Sequence, residues 1–294
     1  VASFRAPAEF LGRDVQLCRF SDDKHRDFDR LVRIIAIALT QTTAVSDPLF
    51  DIQGKSIVVA GAASGLGRAV AGALTARGAR LTMADISAEG LATAANELGP
   101  AVATRLADIR READADAVMA HAMERFGAVD GVVNTAGLLH IAPALSLDET
   151  QFRATLDVNV AGAFLLSRAA ARSMAGKGGR IVHFASVSSL VANVHYAAYA
   201  ASKAALSQLV RVLAREWAPR GITVNAIGPA MTETGMTERF LSDPEFRAQA
   251  LASIPLGRFG TAEDLIGALV LLLGPAGAFI TGQTIFVDGG RTLT

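Results

Sequence analysis

Tyr199 and Lys203 stand four residues apart in the stretch Tyr199-Ala200-Ala201-Ser202-Lys203. The stretch is compatible with a helix, which puts the two side chains on one face, one turn apart. A free phenol ionises near pH ~10, too high for easy proton exchange near neutrality. An adjacent ammonium favours the phenolate and is expected to lower that value. Tyr199 is then placed to take the proton of an alcohol or to give one to a carbonyl oxygen. Alone the pair is a weak signal, because a core tyrosine beside a surface lysine reads the same way. Of the two tyrosines, Tyr196 and Tyr199, only Tyr199 has lysine at plus four.

Ser186 precedes Tyr199 by 13 residues and follows an apolar run, where its hydroxyl can meet a substrate oxygen. Ser188 and Ser189 read as ordinary loop hydrogen-bonding residues. The histidines His25, His121, His140, His183 and His195 show no metal-ligand spacing, so no metal site is expected. They also form no serine–histidine–acid arrangement. His183 sits within a buried-looking strand. His195 and Tyr196, just before Tyr199, are candidates to face the substrate.

A second chemical signal is Gly61-Ala62-Ala63-Ser64-Gly65-Leu66-Gly67, a glycine-rich turn between an apolar run and a helical pattern. A pyrophosphate needs close approach of backbone and free N–H groups at a helix start, and both are available in such a turn. Glycines alone would suit any tight turn; the strand-to-helix context carries the reading. Asp85 closes the second strand, 18 residues after Gly67. A carboxylate there can accept hydrogen bonds from the adenosine ribose hydroxyls and would repel a 2′-phosphate. Neither Ser64 nor Ile86 is basic, so NAD is expected as cofactor over NADP. The competing reading of Asp85 is a helix cap or a solvent-facing acid.

These residues need a scaffold. From Leu49 onward short apolar runs alternate with longer helical patterns, which implies a doubly wound α/β fold with a parallel sheet. The expected strands are 56–60, 80–84, 101–107, 129–133, 180–185, 223–227 and 284–287. Nearly all are apolar without alternation, as strands covered on both faces are. Ala-rich segments such as 66–77, 87–98 and 113–126 supply helices. Thr261 and Asp264 form a capping pair ahead of 265–273. The apolar run 265–280 is broken by Gly274, Pro275 and Gly277 and reads as a buried helix followed by a buried strand, not a membrane span.

Residues 1–48 share no pattern with the rest. Ser21 can cap a helix running through Leu39, with Phe28, Leu31, Val32 and Ile35 on one face. Its two readings are a helix docked on the core or on a neighbouring subunit, and a poorly ordered extension without function of its own. The short apolar run after Arg33 lies too far from the start, behind too many acids, to be a signal sequence. The expected division is therefore an N-terminal extension over 1–48 and one cofactor-binding domain over 49–294.

The chain has 294 residues, 51% of them hydrophobic and 19% charged, enough apolar content for a large core. Lys plus Arg equals Asp plus Glu at 28 each, so no global basic bias points to nucleic acid or an anionic membrane. The single cysteine, Cys18, rules out an internal disulfide and fits a cytoplasmic location.

Taken together these motifs resemble the short-chain dehydrogenase/reductase family from about Leu49 to the C-terminus. The glycine loop Gly61, Ser64, Gly65, Leu66 and Gly67 matches, followed by Asp85 and Ile86. Asp108 and Ile109 resemble the family's adenine-contacting pair. Asn134-Thr135-Ala136-Gly137 resembles its Asn-Asn-Ala-Gly segment, which supports cofactor and sheet. Asn159 matches the helix asparagine of the proton relay and completes a catalytic set with Ser186, Tyr199 and Lys203. Pro229, Thr232 and Thr234 fall in the segment that holds the nicotinamide end, and Val287-Asp288-Gly289-Gly290 matches the C-terminal strand and turn. Four positions depart from the pattern: Ala60 replaces a threonine that braces the loop, Thr135 replaces the second asparagine, His183 stands where asparagine is common, and Ala230 follows Pro229 where glycine is usual. These departures are expected to loosen or reshape the cofactor site.

The resemblance implies a seven-stranded Rossmann-type sheet in the order 3-2-1-4-5-6-7 and a homotetramer built on helices near 155–174 and 199–217. It implies an NAD-dependent oxidoreductase moving a hydride between nicotinamide and a secondary alcohol or ketone, with no nucleic-acid or membrane partner. Asn159 would hold a water that passes the proton outward. The alternatives are an NADPH-linked carbonyl or 3-oxoacyl reductase, and a dinucleotide-binding regulator without turnover. Specificity is expected in 138–145, 190–196 and 231–259, whose Leu, Val, Ala and Met suggest a partly apolar substrate.

Overall fold

A computed structural model describes residues 47–233 and 235–294. The expected helix over 21–39, Cys18 and Thr234 lie outside the described residues. Seven strands, β1 (Ser56–Ala60), β2 (Arg80–Asp85), β3 (Val102–Leu106), β4 (Gly131–Asn134), β5 (Gly179–Phe184), β6 (Ile222–Pro229) and β7 (Thr284–Val287), form one parallel sheet in the order β3-β2-β1-β4-β5-β6-β7. The order reverses between β1 and β4. Crossovers there leave in opposite directions and open a crevice at the carboxyl ends of the strands.

The unbroken apolar runs of the inner strands follow from burial on both faces. Along β1, Val58 and Ala60 face one core, and Ile57 and Val59 face the other. Helices α1 (Gly65–Thr75), α2 (Ala88–Leu98) and the late helix Ala262–Leu273 cover the second face through Val70, Leu74, Leu91, Leu265 and Leu269. On the first face lie α3 (Glu112–Phe126) and the helical run α4 (Glu149–Leu156), a π turn (Asp157–Gly162) and α5 (Ala163–Ser173). The long α6 (Ala197–Trp217) completes that layer, with Val118, Leu166 and Val210 inward. The edge strands β3 and β7 remain partly exposed.

Short helices α7 (Gly235–Leu241) and α8 (Pro244–Ala252) follow β6 and pack as a small flap around Leu241, Ile254 and Phe259, before α9 (Ala262–Leu273). The expected capping box forms: the Thr261 N–H donates to Asp264, and the Thr261 hydroxyl receives the reciprocal backbone bond. Arg258 pairs with the same carboxylate and, as the largest cause, holds it well below the usual range.

Two expectations need correcting. β6 runs to Pro229 instead of ending at 227, because β7 pairs with it as far as Val287 against Pro229. The apolar run after α9 is not a strand: Pro275–Gly277 form a 3-10 turn, and β7 starts only at Thr284. No helix among the described residues is long and apolar enough to cross a membrane.

Candidate active site

The β1–α1 turn is built around glycines that admit no side chain. Gly61 has φ +80°, and a Cβ on it would lie 2.6 Å from the Ala136 nitrogen. A Cβ on Gly67 would lie 1.9 Å from the Gly61 carbonyl oxygen. Ser64 occupies the N-cap of α1 but makes no side-chain capping bond, and the first turn holds no acid. The amides that begin α1 therefore have no capping side chain and no acid within their own turn, which suits an anion. The residues fit a dinucleotide pyrophosphate.

Thr135 accounts for two of the four departures at once. Its hydroxyl lies 2.7 Å from the Ala60 carbonyl oxygen, to which it donates, and 3.3 Å from that of Gly61. The hydroxyl missing at position 60 is supplied from the end of β4, so the loop is braced instead of loosened.

Asp85, at the end of β2, is not a helix cap; that role belongs to Ser87, whose hydroxyl accepts from the Gly90 N–H. One Asp85 oxygen accepts from the Ala63 N–H at 3.0 Å and the other from the Ser87 N–H at 3.0 Å. The carboxylate is thereby fixed beside the glycine loop with acceptor capacity to spare. Ile86 beside it is exposed. The Arg68 side chain, one turn into α1, is paired with Glu97.

The family-derived residues after β3 and β4 divide in role. Asp108 is paired with Arg110, whose hydrogen bonds, as the largest cause, hold its carboxyl low. Ile109 is buried against the π turn: a Cβ on Gly162 would sit 2.8 Å from its Cγ1. Asn134 is buried, its oxygen accepting from the Ala136 N–H at 3.2 Å and its amide nitrogen 3.3 Å from His183 Nδ1. His183 Nε2 lies 2.9 Å from Ser167 Oγ, which itself donates to the Ala163 carbonyl. Since the single serine proton is spent on that carbonyl, Nε2 carries the imidazole proton and Nδ1 accepts from Asn134. Burial drives the His183 pKa down to about 3, with Lys203 adding to the effect. His183 is thus a neutral strut tying β5 and α5 to the Asn134–Ala136 turn.

Ser186, Tyr199 and Lys203 converge on the carboxyl end of β5. Ser186 caps the short turn Val187–Ser189, accepting from the Ser188 N–H at 3.1 Å. Tyr199 and Lys203 lie on one face of α6, and the Lys203 ammonium sits 5.5 Å from the Tyr199 ring centroid. Lys203 is buried and donates to the Phe184 carbonyl at 2.6 Å.

The expected lowering of the tyrosine pKa is not what the structure shows. Burial pushes Tyr199 up to about 12, while hydrogen bonding with Ser186 works in the opposite direction. Burial also brings Lys203 down to about 8. Spacing correctly placed a cation beside the ring, but desolvation outweighs it: the ammonium lies over the ring and is engaged with a carbonyl.

Asn159 falls in the π turn, where the helical hydrogen-bond ladder is widened. Its oxygen accepts from the Leu138 N–H at 2.8 Å, and its amide donates to the Leu138 carbonyl and to Ser202 Oγ. Ser202 in turn donates to the Tyr199 carbonyl. The side chain is therefore a clamp between the β4 turn and α6, with both amide protons committed.

A cleft of about 340 Å³ joins these parts. Leu66, Thr135 and Gly137 from the cradle line it together with Ser186, Tyr199 and Lys203. Pro229 and Thr232 line it from β6 and the turn beyond, and Met231, Phe246 and Ile254 form an apolar wall. Tyr196 lines it as expected, its ring edge-on to Tyr199 at 6.1 Å between centroids. His195 does not; it is exposed, with φ 71°. Two polar lining residues escaped the sequence reading: Ser188, taken as a loop residue, and Arg291 beyond the C-terminal glycines.

A family model described as Enoyl-(Acyl carrier protein) reductase matches residues 61–292. Galactitol 2-dehydrogenase (L-tagatose-forming) of Cereibacter sphaeroides is 39% identical over 83% of this chain and 98% of its own length. 2-(S)-hydroxypropyl-CoM dehydrogenase 3 of Xanthobacter autotrophicus is 38% identical over 82% of this chain and 98% of its own. Among solved structures, a gluconate 5-dehydrogenase from Burkholderia cenocepacia in complex with NADP and tartrate superposes with a TM-score of 0.80. It is 32% identical and covers 84% of this chain and 98% of its own. The chain belongs to the short-chain dehydrogenase/reductase family and is an oxidoreductase. Its cofactor class is a nicotinamide dinucleotide and its substrates are small molecules.

Proposed function

We propose that this chain interconverts a secondary alcohol and its ketone with NAD in preference to NADP, using Asn159, Ser186, Tyr199 and Lys203 as its catalytic set. One observation carries the reading: the dinucleotide cradle and the Ser186–Tyr199–Lys203 group open into the same cleft. When bound, the dinucleotide supplies hydride transfer at its nicotinamide ring. Ser186 holds the substrate oxygen. Tyr199 takes the proton from that oxygen in oxidation and returns it in reduction. Lys203 sets positive charge beside the phenol and can donate to the nicotinamide ribose. The Asn159 side chain fixes the start of α6 against the β4 turn, and the residue would hold a water that passes the proton outward.

The cofactor preference rests on Asp85. Its fixed carboxylate suits ribose hydroxyls and repels a 2′-phosphate, and Ile86 offers no cation. The gluconate 5-dehydrogenase neighbour carries NADP, so parallel titration of both cofactors decides the point. Gly61, Ser64, Gly65, Leu66 and Gly67 would cradle the pyrophosphate, with Asp108, Ile109, Asn134, Ala136 and Gly137 bordering the adenosine half. Pro229, Thr232 and Thr234 would border the nicotinamide. Residues 1–48 are an extension to a single cofactor domain at 49–294, the assembly is a homotetramer, and the compartment is the cytoplasm.

The test is turnover of a broad panel of secondary alcohols and ketones, followed by Tyr199→Phe on the best of them. The expected loss in kcat is at least about 10²-fold, with NAD affinity held within a few-fold. A Tyr199→Phe enzyme with near wild-type kcat would remove the assignment.

A further inference from the structure

The charge lining the cleft has one sign. Its described lining residues include Lys203 and Arg291 but no aspartate or glutamate, although the chain as a whole carries equal numbers of acids and bases. Lys203 is used by the proposed chemistry. Arg291 is not, and no tightly packed apolar environment accounts for it, since it is only half-buried.

Arg291 is held in place. Gly289 and Gly290, with φ 61° and 89°, turn the chain back after β7 so that the next side chain enters the cleft. One Nη2 proton goes to Asn193 Oδ1 at 3.0 Å, and Nη1 reaches the Thr294 carbonyl and hydroxyl oxygens at 3.3 and 3.2 Å. Asn193 donates to Ser188 Oγ at 3.0 Å, and the Ser188 N–H donates to Ser186 Oγ at 3.1 Å. The guanidinium is thus tied by three consecutive hydrogen bonds to the serine that would hold the substrate oxygen. Those bonds leave the Nε proton and one Nη2 proton for another acceptor. A guanidinium with two donors free suits a carboxylate. Met231, Phe246 and Ile254, which also line the cleft, would take the carbon skeleton.

We propose that Arg291 is a specificity-determining residue, and that the substrate is a hydroxy acid or oxo acid whose carboxylate it binds while the reacting carbon lies at Ser186 and Tyr199. This inference rests on the alcohol–ketone reading of the same cleft.

The test pairs hydroxy acids of three to six carbons with their neutral diol or amide counterparts, in the wild type and in Arg291→Gln and Arg291→Lys. Binding of succinate and glutarate, which cannot be oxidised at a hydroxyl, is measured separately by calorimetry on the enzyme with NADH. The acids are expected to turn over with higher kcat/KM than their neutral counterparts. Arg291→Gln should lower kcat/KM for the acids at least tenfold, mainly through KM, and change the neutral compounds less than threefold. Dicarboxylate binding should be lost in Arg291→Gln and partly kept in Arg291→Lys. Equal losses for acids and neutral compounds would show a structural strut and overturn the proposal. So would turnover confined to neutral alcohols, or failure of either dicarboxylate to bind the wild type. Carboxylate binding without turnover of any panel member would keep the anion site and sink the alcohol–ketone reading instead.

Discussion

The hydroxyl of Thr135 donates to the carbonyl oxygen of Ala60 across the junction of β1 and β4, 2.7 Å away, and so holds the start of the glycine loop. If this bond braces the loop, Thr135→Val should cost about 1 kcal/mol, with a larger relative loss in NADH affinity than in stability. Thr135→Ser should retain most of both. Chemical denaturation alongside NADH titration checks this; a valine variant with wild-type cofactor affinity would show that the brace is dispensable.

Glycines of one helix should respond in opposite directions. Gly67 has no room for a methyl group, whereas a Cβ on Gly72 would meet only Leu98, at 3.7 Å. Gly72→Ala should therefore stabilise the protein by about 0.5–1 kcal/mol through helix propensity. Gly67→Ala should abolish dinucleotide binding or folding. Midpoints of urea unfolding for the two variants distinguish them.

Cofactor choice should turn on a single carboxylate. The wild type is expected to favour NAD by at least about tenfold, on the order of 1.4 kcal/mol. Asp85→Ser combined with Ile86→Arg should move the preference toward NADP. Because Asp85 also accepts the Ala63 N–H, the double variant should bind both cofactors more weakly than the best natural pairing. Direct titration of NADH and NADPH reads the ratio; equal wild-type affinities would remove the assignment.

The raised Tyr199 pKa has a definite signature in stability. In the folded chain without added dinucleotide the phenol keeps its proton up to about 12, while in the unfolded chain it ionises near the ordinary value of 10. The unfolded state therefore binds fewer protons in that window, and folding stability falls as pH rises. Wild type should lose stability relative to Tyr199→Phe between about pH 10 and 12, with a pH-independent difference below 10. Thermal melts of both proteins across this range provide the comparison.

What the sequence made legible was local. The Gly61–Gly67 turn, the Tyr199–Lys203 pair and the Thr261–Asp264 box each lie within seven residues, so chain geometry alone brings their parts together. The strand order came from family resemblance instead, and its bounds slipped where pairing with a neighbour sets the end, as at Pro229. Contacts between distant residues left no trace in spacing: Thr135 and Ala60 are 75 positions apart, and Arg291 and Asn193 are 98. The tyrosine pKa was misjudged for a related reason. Sequence separation reports how near a charge lies, but the competing desolvation depends on everything that packs around it. Asn159 was found by resemblance, yet its side-chain role as a clamp required seeing Leu138 and Ser202 beside it.

The bonds through His183 run in one direction. Ala136 gives to Asn134, Asn134 to His183, His183 to Ser167, and Ser167 to a backbone carbonyl that has nothing further to give. Two of those links are amides, which do not hand a proton on under ordinary conditions. This row of bonds beneath the cleft is therefore an insulator and not a wire. Whatever proton Tyr199 exchanges with solvent does not travel through His183. A histidine at the centre of the molecule is consequently silent in any activity profile near neutrality, and a titration seen there belongs to another group.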